Sequence, residues 1–310
     1  MKCYFIVNPN SRGGKGLRLW NRARSYMTKR GIEYEIFFTD APGDAAFIAK
    51  TLTEAVQEET VHVFVIGDDG TLNEVLNGLN HLSKVAVGFI PTAPVEGCAR
   101  SLRLGPNPGR LLRAAGTNGQ PGRIEAMDYG VLTCENGEIV RRFAGSSGIG
   151  FDAAISFRMN RFLNEGPRFF RSRRLLALKE CVKELFVSRP VRGYLILDGE
   201  RRVEFNNLMF VSVHIHPYER AFRFGSYADP KDGMLEICAV NCRNRLKLIP
   251  LLIKSRFRGL TDCSRVKLFQ CREAHVHFDR PCIVHTDGET IRSQTDLDFS
   301  CIRQQLNIFR

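Results

Sequence analysis

The run Val63-Phe64-Val65-Ile66 stops at Gly67-Asp68-Asp69-Gly70 and continues as Thr71-Leu72-Asn73-Glu74-Val75-Leu76-Asn77-Gly78-Leu79. A β-rich run that ends in a glycine turn and starts a helix leaves backbone N–H groups at the turn, where a phosphate can sit. Gly70 lets that backbone come close. The alternation repeats through the first hundred residues, with strands expected at 4–8, 34–38, 61–66 and 85–90 and helices over 16–30, 43–58 and 72–80. That order is the pattern of a parallel sheet with crossover helices. The first strand runs into Asn8-Pro9-Asn10-Ser11-Arg12-Gly13-Gly14-Lys15-Gly16, a second turn-rich loop ahead of a helix that can meet an anion.

From about residue 126 the texture changes to short strands separated by turn signals, at 126–133, 138–146, 194–197, 203–213, 235–240, 264–269, 275–278 and 283–285. These predict a mostly antiparallel β-sandwich or barrel. Two helices interrupt it. Over 173–186 the residues Leu175, Leu178, Val182, Leu185 and Phe186 recur at helical spacing, and 244–259 ends in Lys254, Arg256 and Arg258. A chain of 310 residues, 44% hydrophobic, accommodates two cores. The expected domains are 1–125, with 295–310 as a candidate completing segment, and 126–294.

Charge narrows the partners. A net charge of +12 attracts nucleotide phosphates, acidic lipid or nucleic acid. No zinc-finger spacing, RNP-like run or basic heptad region supports the last, so no nucleic-acid partner is expected. Ten scattered cysteines without a Cys-x-x-Cys pair fit reduced thiols. No signal segment or long apolar run is present, so the expected place is the cytoplasm, peripheral to a membrane and without a transmembrane segment.

The segment from Gly67 to Leu79 closely resembles the G-G-D-G-T-x-N-E-V-x-N-G-L signature of diacylglycerol kinases, sphingosine kinases and their bacterial lipid kinase relatives. Further similar motifs follow in family order. The Asn8-Pro9-x-Ser11-x-x-Gly14-Lys15-Gly16 loop looks like the nucleotide-contacting first loop, and Ser147-Gly148-Ile149-Gly150-Phe151-Asp152-Ala153 is similar to G-x-G-F-D-A. Asp232-Gly233-Met234-Leu235 looks like D-G-x-L, and Asp287-Gly288-Glu289 matches a D-G-E triplet.

The resemblance implies an N-terminal α/β domain related to NAD kinases and 6-phosphofructokinases that holds ATP, and a C-terminal β-sandwich that contributes the lipid site. It also implies transfer of the γ-phosphate to a hydroxyl of diacylglycerol or a similar lipid, with Mg2+ and ATP as cofactors, at an anionic membrane surface. Asp287 is then the general base and Glu289 its acidic neighbour. Asn8, Ser11, Gly14, Lys15, Gly67, Asp69, Gly70, Thr71, Glu74 and Arg100 bind nucleotide, and Asp69 and Asp232 are candidate metal ligands. Phosphoryl transfer is mostly positioning and charge stabilisation, which needs those residue types. A homodimer is compatible with this reading.

Three departures stand against the pattern. Asp68 replaces the second signature glycine. The family's P-x-G-T-G-N-D-F-A-R is here Pro91-Thr92-Ala93-Pro94-Val95-Glu96-Gly97-Cys98-Ala99-Arg100, which loses two glycines and one N–H donor. An acid facing the phosphates at about 5 Å would oppose ATP by roughly 3 kcal/mol at an effective dielectric near 20. In the β domain, His214-Ile215-His216-Pro217-Tyr218-Glu219-Arg220-Ala221-Phe222 takes the place of an Asn followed by Gly-Gly-Gly.

The blander readings are concrete. Asp287-Gly288 and Asp232-Gly233 are strong turn signals by themselves. The pairs His214/His216 and His275/His277 lack a third zinc ligand at suitable spacing and read as core or surface histidines. The basic run from Arg168 to Arg174 is a candidate lipid contact or a solvated helix end. Besides the lipid kinase, two alternatives fit: a catalytically inactive pseudokinase that binds a lipid or regulatory partner, and an NAD-kinase-like enzyme acting on a soluble metabolite.

Overall fold

The computed structural model describes residues 2–54, 60–94, 97–117, 122–165, 179, 182–220 and 222–310. The chain divides into two compact units, Met1–Tyr129 with Ile302–Arg310, and Gly130–Cys301.

The first unit follows the expected alternation: β1 (Cys3–Val7), α1 (Ser11–Thr28), β2 (Tyr34–Phe38), α2 (Asp44–Glu54), β3 (Val61–Gly67), α3 (Asp69–Gly78), β4 (Val85–Pro91), α4 (Gly97–Ser101) and α5 (Pro108–Ala114). The last residues of β13 (Glu289–Phe309) complete the sheet, in the order β2-β1-β3-β4-β13 with all pairs parallel. Val7 lies level with Ile66, and Gly67 level with Pro91. The loops after β1, β3 and β4 therefore leave the sheet at one height, where ligands bind in open α/β sheets.

One face of this sheet is an aromatic column, Phe5 stacked on Phe64 at 5.0 Å and Phe64 on Phe309 at 5.6 Å. Leu19, Trp20, Ala23 and Met27 of α1 and Leu111 and Leu112 of α5 cover it. The α1 segment opens with a left-handed turn at Arg12, Gly13 and Gly14, with φ of 51°, 69° and 84°, and its regular helix follows, as expected from about 16. One helix start differs from the sequence reading. The α3 helix begins at Asp69 rather than 72, because Asp68 caps it.

The second unit is β-rich. It holds β6 (Ile139–Phe143), β7 (Ser146–Gly150), α6 (Phe151–Glu165), β8 (Val191–Leu197), β9 (Arg201–His214), β10 (Leu235–Asn241), α7 (Leu248–Phe257), β11 (Val266–Cys271) and β12 (Glu273–Thr286), with β5 (Ile124–Cys134) entering it. The strand order β11-β10-β9-β7-β12-β13 is antiparallel. The two long strands β9 and β12 pair with β8 along their first halves and with β7 along their second halves. Strands that turn from one set of partners to another wrap a sheet around its core. That core includes Phe143, Leu195, Val213, Ile237, Val276, Phe278 and Leu297.

Several expectations need correction. The single strand over 138–146 is two strands that meet at a corner near Ala144 and Gly145, and the strand pieces 275–278 and 283–285 belong to one strand whose register shifts between His277 and Val284. Helix α6 and the long β13 were not expected. Residues 173–178, 180 and 181 of the expected helix, and all of the basic run 168–174, lie outside the described residues, while 182–187 is helical. Among the described residues, no helix is long and apolar enough to cross a membrane. Nine described cysteines are free, six of them buried.

The aromatic column makes the last strand part of the first core. Phe309 is fully buried, so Phe309→Ala is expected to lower stability by about 3–5 kcal/mol. Urea denaturation reads this, and a loss below about 1 kcal/mol would show that the segment is peripheral.

Candidate functional site

In the first unit, polar side chains join the three loops into a one-way chain of hydrogen bonds. Asn8 Nδ2 donates to Thr71 Oγ1 at 3.2 Å, and Thr71 Oγ1 donates to Asp68 Oδ1 at 2.9 Å. The Thr71 N–H donates to the same carboxylate oxygen at 3.2 Å. Ser11 Oγ lies 2.8 Å from Thr92 Oγ1 and 3.3 Å from Asp68 Oδ2, and Thr92 Oγ1 donates to the Gly67 carbonyl at 2.9 Å. Lys15 reaches over from α1 and donates to the Thr92 carbonyl at 2.5 Å. Asn8, Ser11, Lys15, Gly67 and Thr71, each predicted from sequence, are thus brought together.

Asp68 changes the electrostatic argument. Both its oxygens accept bonds, and its work is to cap α3 and hold Ser11. Those donors are neutral and leave the carboxylate its charge, but they fix its two oxygens on Thr71 and Ser11. Val95 and Glu96 lie outside the described residues, so the second half of that argument has no structural counterpart.

Asp69 sits in the first turn of α3, its carboxylate packed on the backbone of Gly97: a Cβ at Gly97 would lie 1.8 Å from Asp69 Oδ2. Gly97 also has φ of +49°, so the sequence retains a glycine where Asp69 needs room. Gly14 belongs to the left-handed turn, Gly70 to the first turn of α3, and Arg100 to the short α4. Glu74 is turned elsewhere: it accepts the Gly43 and Ala45 N–H groups at the start of α2, and burial raises its carboxyl above the ordinary value. Burial, with Arg12 and Arg18 nearby, lowers the Lys15 ammonium from its usual value. Like charges gathered on one loop are relieved by an anion.

In the second unit, Asp287 and Gly288 adopt φ of +48° and +87° and close the β12–β13 hairpin. Left-handed geometry at both central positions is what an Asp-Gly turn supplies. The Asp287 carboxylate accepts three backbone N–H groups, from Ala144 to Oδ2 at 2.8 Å and from Gly145 and Ser146 to Oδ1 at 2.8 and 2.9 Å. These three donors fix the orientation of the carboxylate within the turn. Glu289 is exposed at the start of β13, and Asp232 is an exposed turn residue whose Oδ1 accepts the Met234 N–H at 2.8 Å.

A buried cluster that the sequence did not single out lies behind this hairpin. His285 Nε2 is 3.2 Å from Glu219 Oε1 and 3.6 Å from Asp152 Oδ2, with all three side chains buried. A Cβ at Gly148 would fall 2.3 Å from Asp152 Oδ2, which explains a glycine in the Ser147–Ala153 segment. Burial pushes Asp152 up to about 6. For His285, burial opposes the charged ring, but Glu219 and Asp152 outweigh it and raise its pKa to about 10. The Gly288 N–H lies 3.2 Å from Nδ1.

The same three residues are the one group of three possible metal ligands among the described residues. With His285 held between the two carboxylates, the cluster is an ionic support for the hairpin. Neither Asp69 nor Asp232 belongs to such a group. The residue types gave partial signals: His285 stands two residues before Asp287, and Asp152 lies in a family-like motif. Glu219 comes from the segment that replaces the expected glycines and meets them only through the fold.

Beside the cluster, Glu236 on β10 and His214 on β9 are paired across the strands. Burial drives Glu236 up to about 7 and His214 down to about 4. Each is favoured in its neutral form, because removing a charge from water is costly where no full counter-charge compensates.

Two outcomes follow. Asp68→Ala is expected to cost about 1 kcal/mol of stability through the lost cap, with Asp68→Asn costing much less, as read by urea denaturation. For Glu236, the raised pKa contributes stability that is complete below its ordinary value of 4.5 and is lost as pH rises through about 7. The depressed pKa of His214 acts oppositely, giving stability above 6.5 that is lost as pH falls towards about 4. Glu236→Gln removes only the first effect. Its melting temperature should gain on the wild type between pH 4.5 and pH 8, and a constant difference would refute the assignment.

Residues 2–129 match the diacylglycerol kinase catalytic domain family. The chain is 28% identical over 302 residues to a diacylglycerol kinase of Mycobacterium tuberculosis, covering 96% of this chain and 88% of that protein. It is 26% identical over 290 residues to YtlR of Bacillus subtilis, an inferred lipid kinase, covering 92% of each. A crystal structure of a diacylglycerol kinase from Bacillus anthracis shares the fold with a TM-score of 0.68 at 16% identity, over 99% of this chain and 96% of that one. With residues 2–129 matching its catalytic domain, these likenesses support the diacylglycerol kinase-like lipid kinase family for this chain.

Proposed function

We propose that the chain transfers the γ-phosphoryl group of ATP to a hydroxyl of diacylglycerol or a similar lipid. The observation that carries this reading is the joining of the β1, β3 and β4 loops by Asn8, Ser11, Asp68, Thr71 and Thr92, with the Lys15 ammonium fixed among them. Fixed loops bearing cations place a polyphosphate without rearrangement, which is where the rate of phosphoryl transfer originates.

The donor set suits magnesium. Mg2+ takes one or two carboxylates with phosphate oxygens and water, and Asp69 supplies such a carboxylate in the first turn of α3. When bound, the ion would neutralise charge on the transferring phosphate. Lys15 and the left-handed turn at Arg12–Gly14 would face the phosphates, whereas Glu74 serves the α2–α3 contact in this reading. Asp232 is occupied by its own turn and is assigned no metal role.

Asp287 orients the lipid hydroxyl and receives its proton late. A loose transition state asks little of a base, so a carboxylate held by three N–H donors suffices. The buried cluster of Asp152, Glu219 and His285 supports the hairpin that carries it.

Calorimetry with MgATP, followed by radiolabel transfer to a lipid panel with NAD as a comparison acceptor, tests the proposal. Transfer to lipid is expected; absence of nucleotide binding at millimolar concentration would leave a pseudokinase, and label on NAD would move the substrate to the soluble class. Lys15→Met should weaken MgATP by at least about tenfold, the scale of one lost charge-assisted contact. Asp287→Asn should lose transfer and keep nucleotide affinity. Because it sets an NH2 against backbone donors, its melting temperature is measured alongside, and retained turnover in a folded variant removes Asp287 from the acceptor role.

A further inference from the structure

The α7 helix has two apolar faces and only one of them is covered. Leu248, Leu251, Leu252 and Ser255 turn inward, where the leucines pack with Phe210, Phe224 and Val240. This is the i, i+3, i+4, i+7 spacing of an ordinary surface helix, and it accounts for the whole buried stripe. Ile249, Ile253 and Phe257 then recur at i, i+4 and i+8 on the outside, continued one turn earlier by Leu246. Ile253 is 56% and Phe257 79% exposed, values opposite to what burial favours for such large side chains.

Cations flank this stripe, and the segment carries no acid. Lys247, Lys254, Arg256 and Arg258 are all exposed, and no Asp or Glu occurs from residue 242 to residue 261. Lys254 donates to a neutral hydroxyl, Thr261 Oγ1, at 2.7 Å. The adjoining helical stretch adds exposed Phe186 and Val187, and Arg245 ties it to this face by donating to the Phe186 carbonyl. An exposed apolar ridge bordered by cations has the chemistry of an interfacial helix at an acidic bilayer.

We propose that the outer face of α7 seats the protein on an anionic lipid bilayer, with Ile249, Ile253 and Phe257 entering the acyl boundary and the flanking lysines and arginines meeting lipid phosphates. The purpose of this contact rests on the lipid-kinase reading, since a diacylglycerol-like acceptor is reached only from a membrane surface. The contact itself is independent of nucleotide. Charge complementarity selects a bilayer over a second copy of the chain, because two such faces would set like charges against each other.

Co-sedimentation of the full chain with phosphatidylcholine vesicles, with and without phosphatidylglycerol, tests this in the absence of ATP. Binding to the anionic vesicles is expected, falling with added salt. The double variants Ile253→Ser/Phe257→Ser and Lys254→Glu/Arg256→Glu should each weaken partitioning by at least about tenfold, given the burial lost in one case and the charge reversed in the other. Melting temperature and MgATP affinity should stay as in the wild type, since these side chains point outward. Wild-type-like partitioning of both variants, or no vesicle binding by the wild type, overturns the proposal. So does sedimentation velocity showing a dimer that the Ile253→Ser/Phe257→Ser variant dissociates. Vesicle binding without lipid phosphorylation would instead sink the kinase reading and leave this one standing.

Discussion

A single carboxylate, that of Asp68, gathers the loops of the first unit. It accepts from the Thr71 backbone and hydroxyl and lies within reach of Ser11, so the turn after β3, the start of α3 and the loop after β1 share one acceptor. The parallel register makes this possible, because it ends β1, β3 and β4 at one level. A glycine at that position would leave the same turn with fewer internal bonds. The substitution trades backbone freedom for a fixed constellation, which favours the preorganised geometry that phosphoryl transfer requires.

The second unit solves a different problem. It places Asp152, Glu219, His285, His214 and Glu236 out of water, where each charge is costly. The costs are met by neutralising some groups and pairing others: Glu236 and His214 are pushed towards their neutral forms, and His285 stands between two carboxylates. Buried polar groups are worth keeping when they fix a unique arrangement. Here they lie beneath the Asp287–Gly288 turn, whose φ values and three converging N–H donors leave it little freedom.

Local features were the legible ones. Short β runs, glycine turns and their order carried the α/β first unit and the β-rich second, because period and turn chemistry are written in neighbouring residues. Most of what failed depended on distant partners. Glu74 looked like a nucleotide residue, yet its three-residue step along α3 turns it towards the Gly43 and Ala45 N–H groups. Asp68 looked like a charge facing phosphate, although an acid directly before a helix is also a cap, a signal that was local. Glu219 and His285, 66 residues apart in sequence, meet only once the strands are paired. The outer stripe of α7 was concealed by its inner one, since a helix apolar on two sides shows weak periodicity.

The β13 strand has a consequence for how the chain matures. Phe309 is a member of a core otherwise built by residues synthesised well before it, stacked on Phe64. During synthesis the early sheet must wait for it, with the β4 edge unpaired and Phe64 lacking its stacking partner, while the intervening β-rich unit has all of its own residues in hand sooner. Order of emergence and order of completion are therefore reversed: the unit translated first is the last to close. Its waiting interval is the stage at which nascent chains of this protein are most exposed to chaperone capture or to misassembly through the open edge.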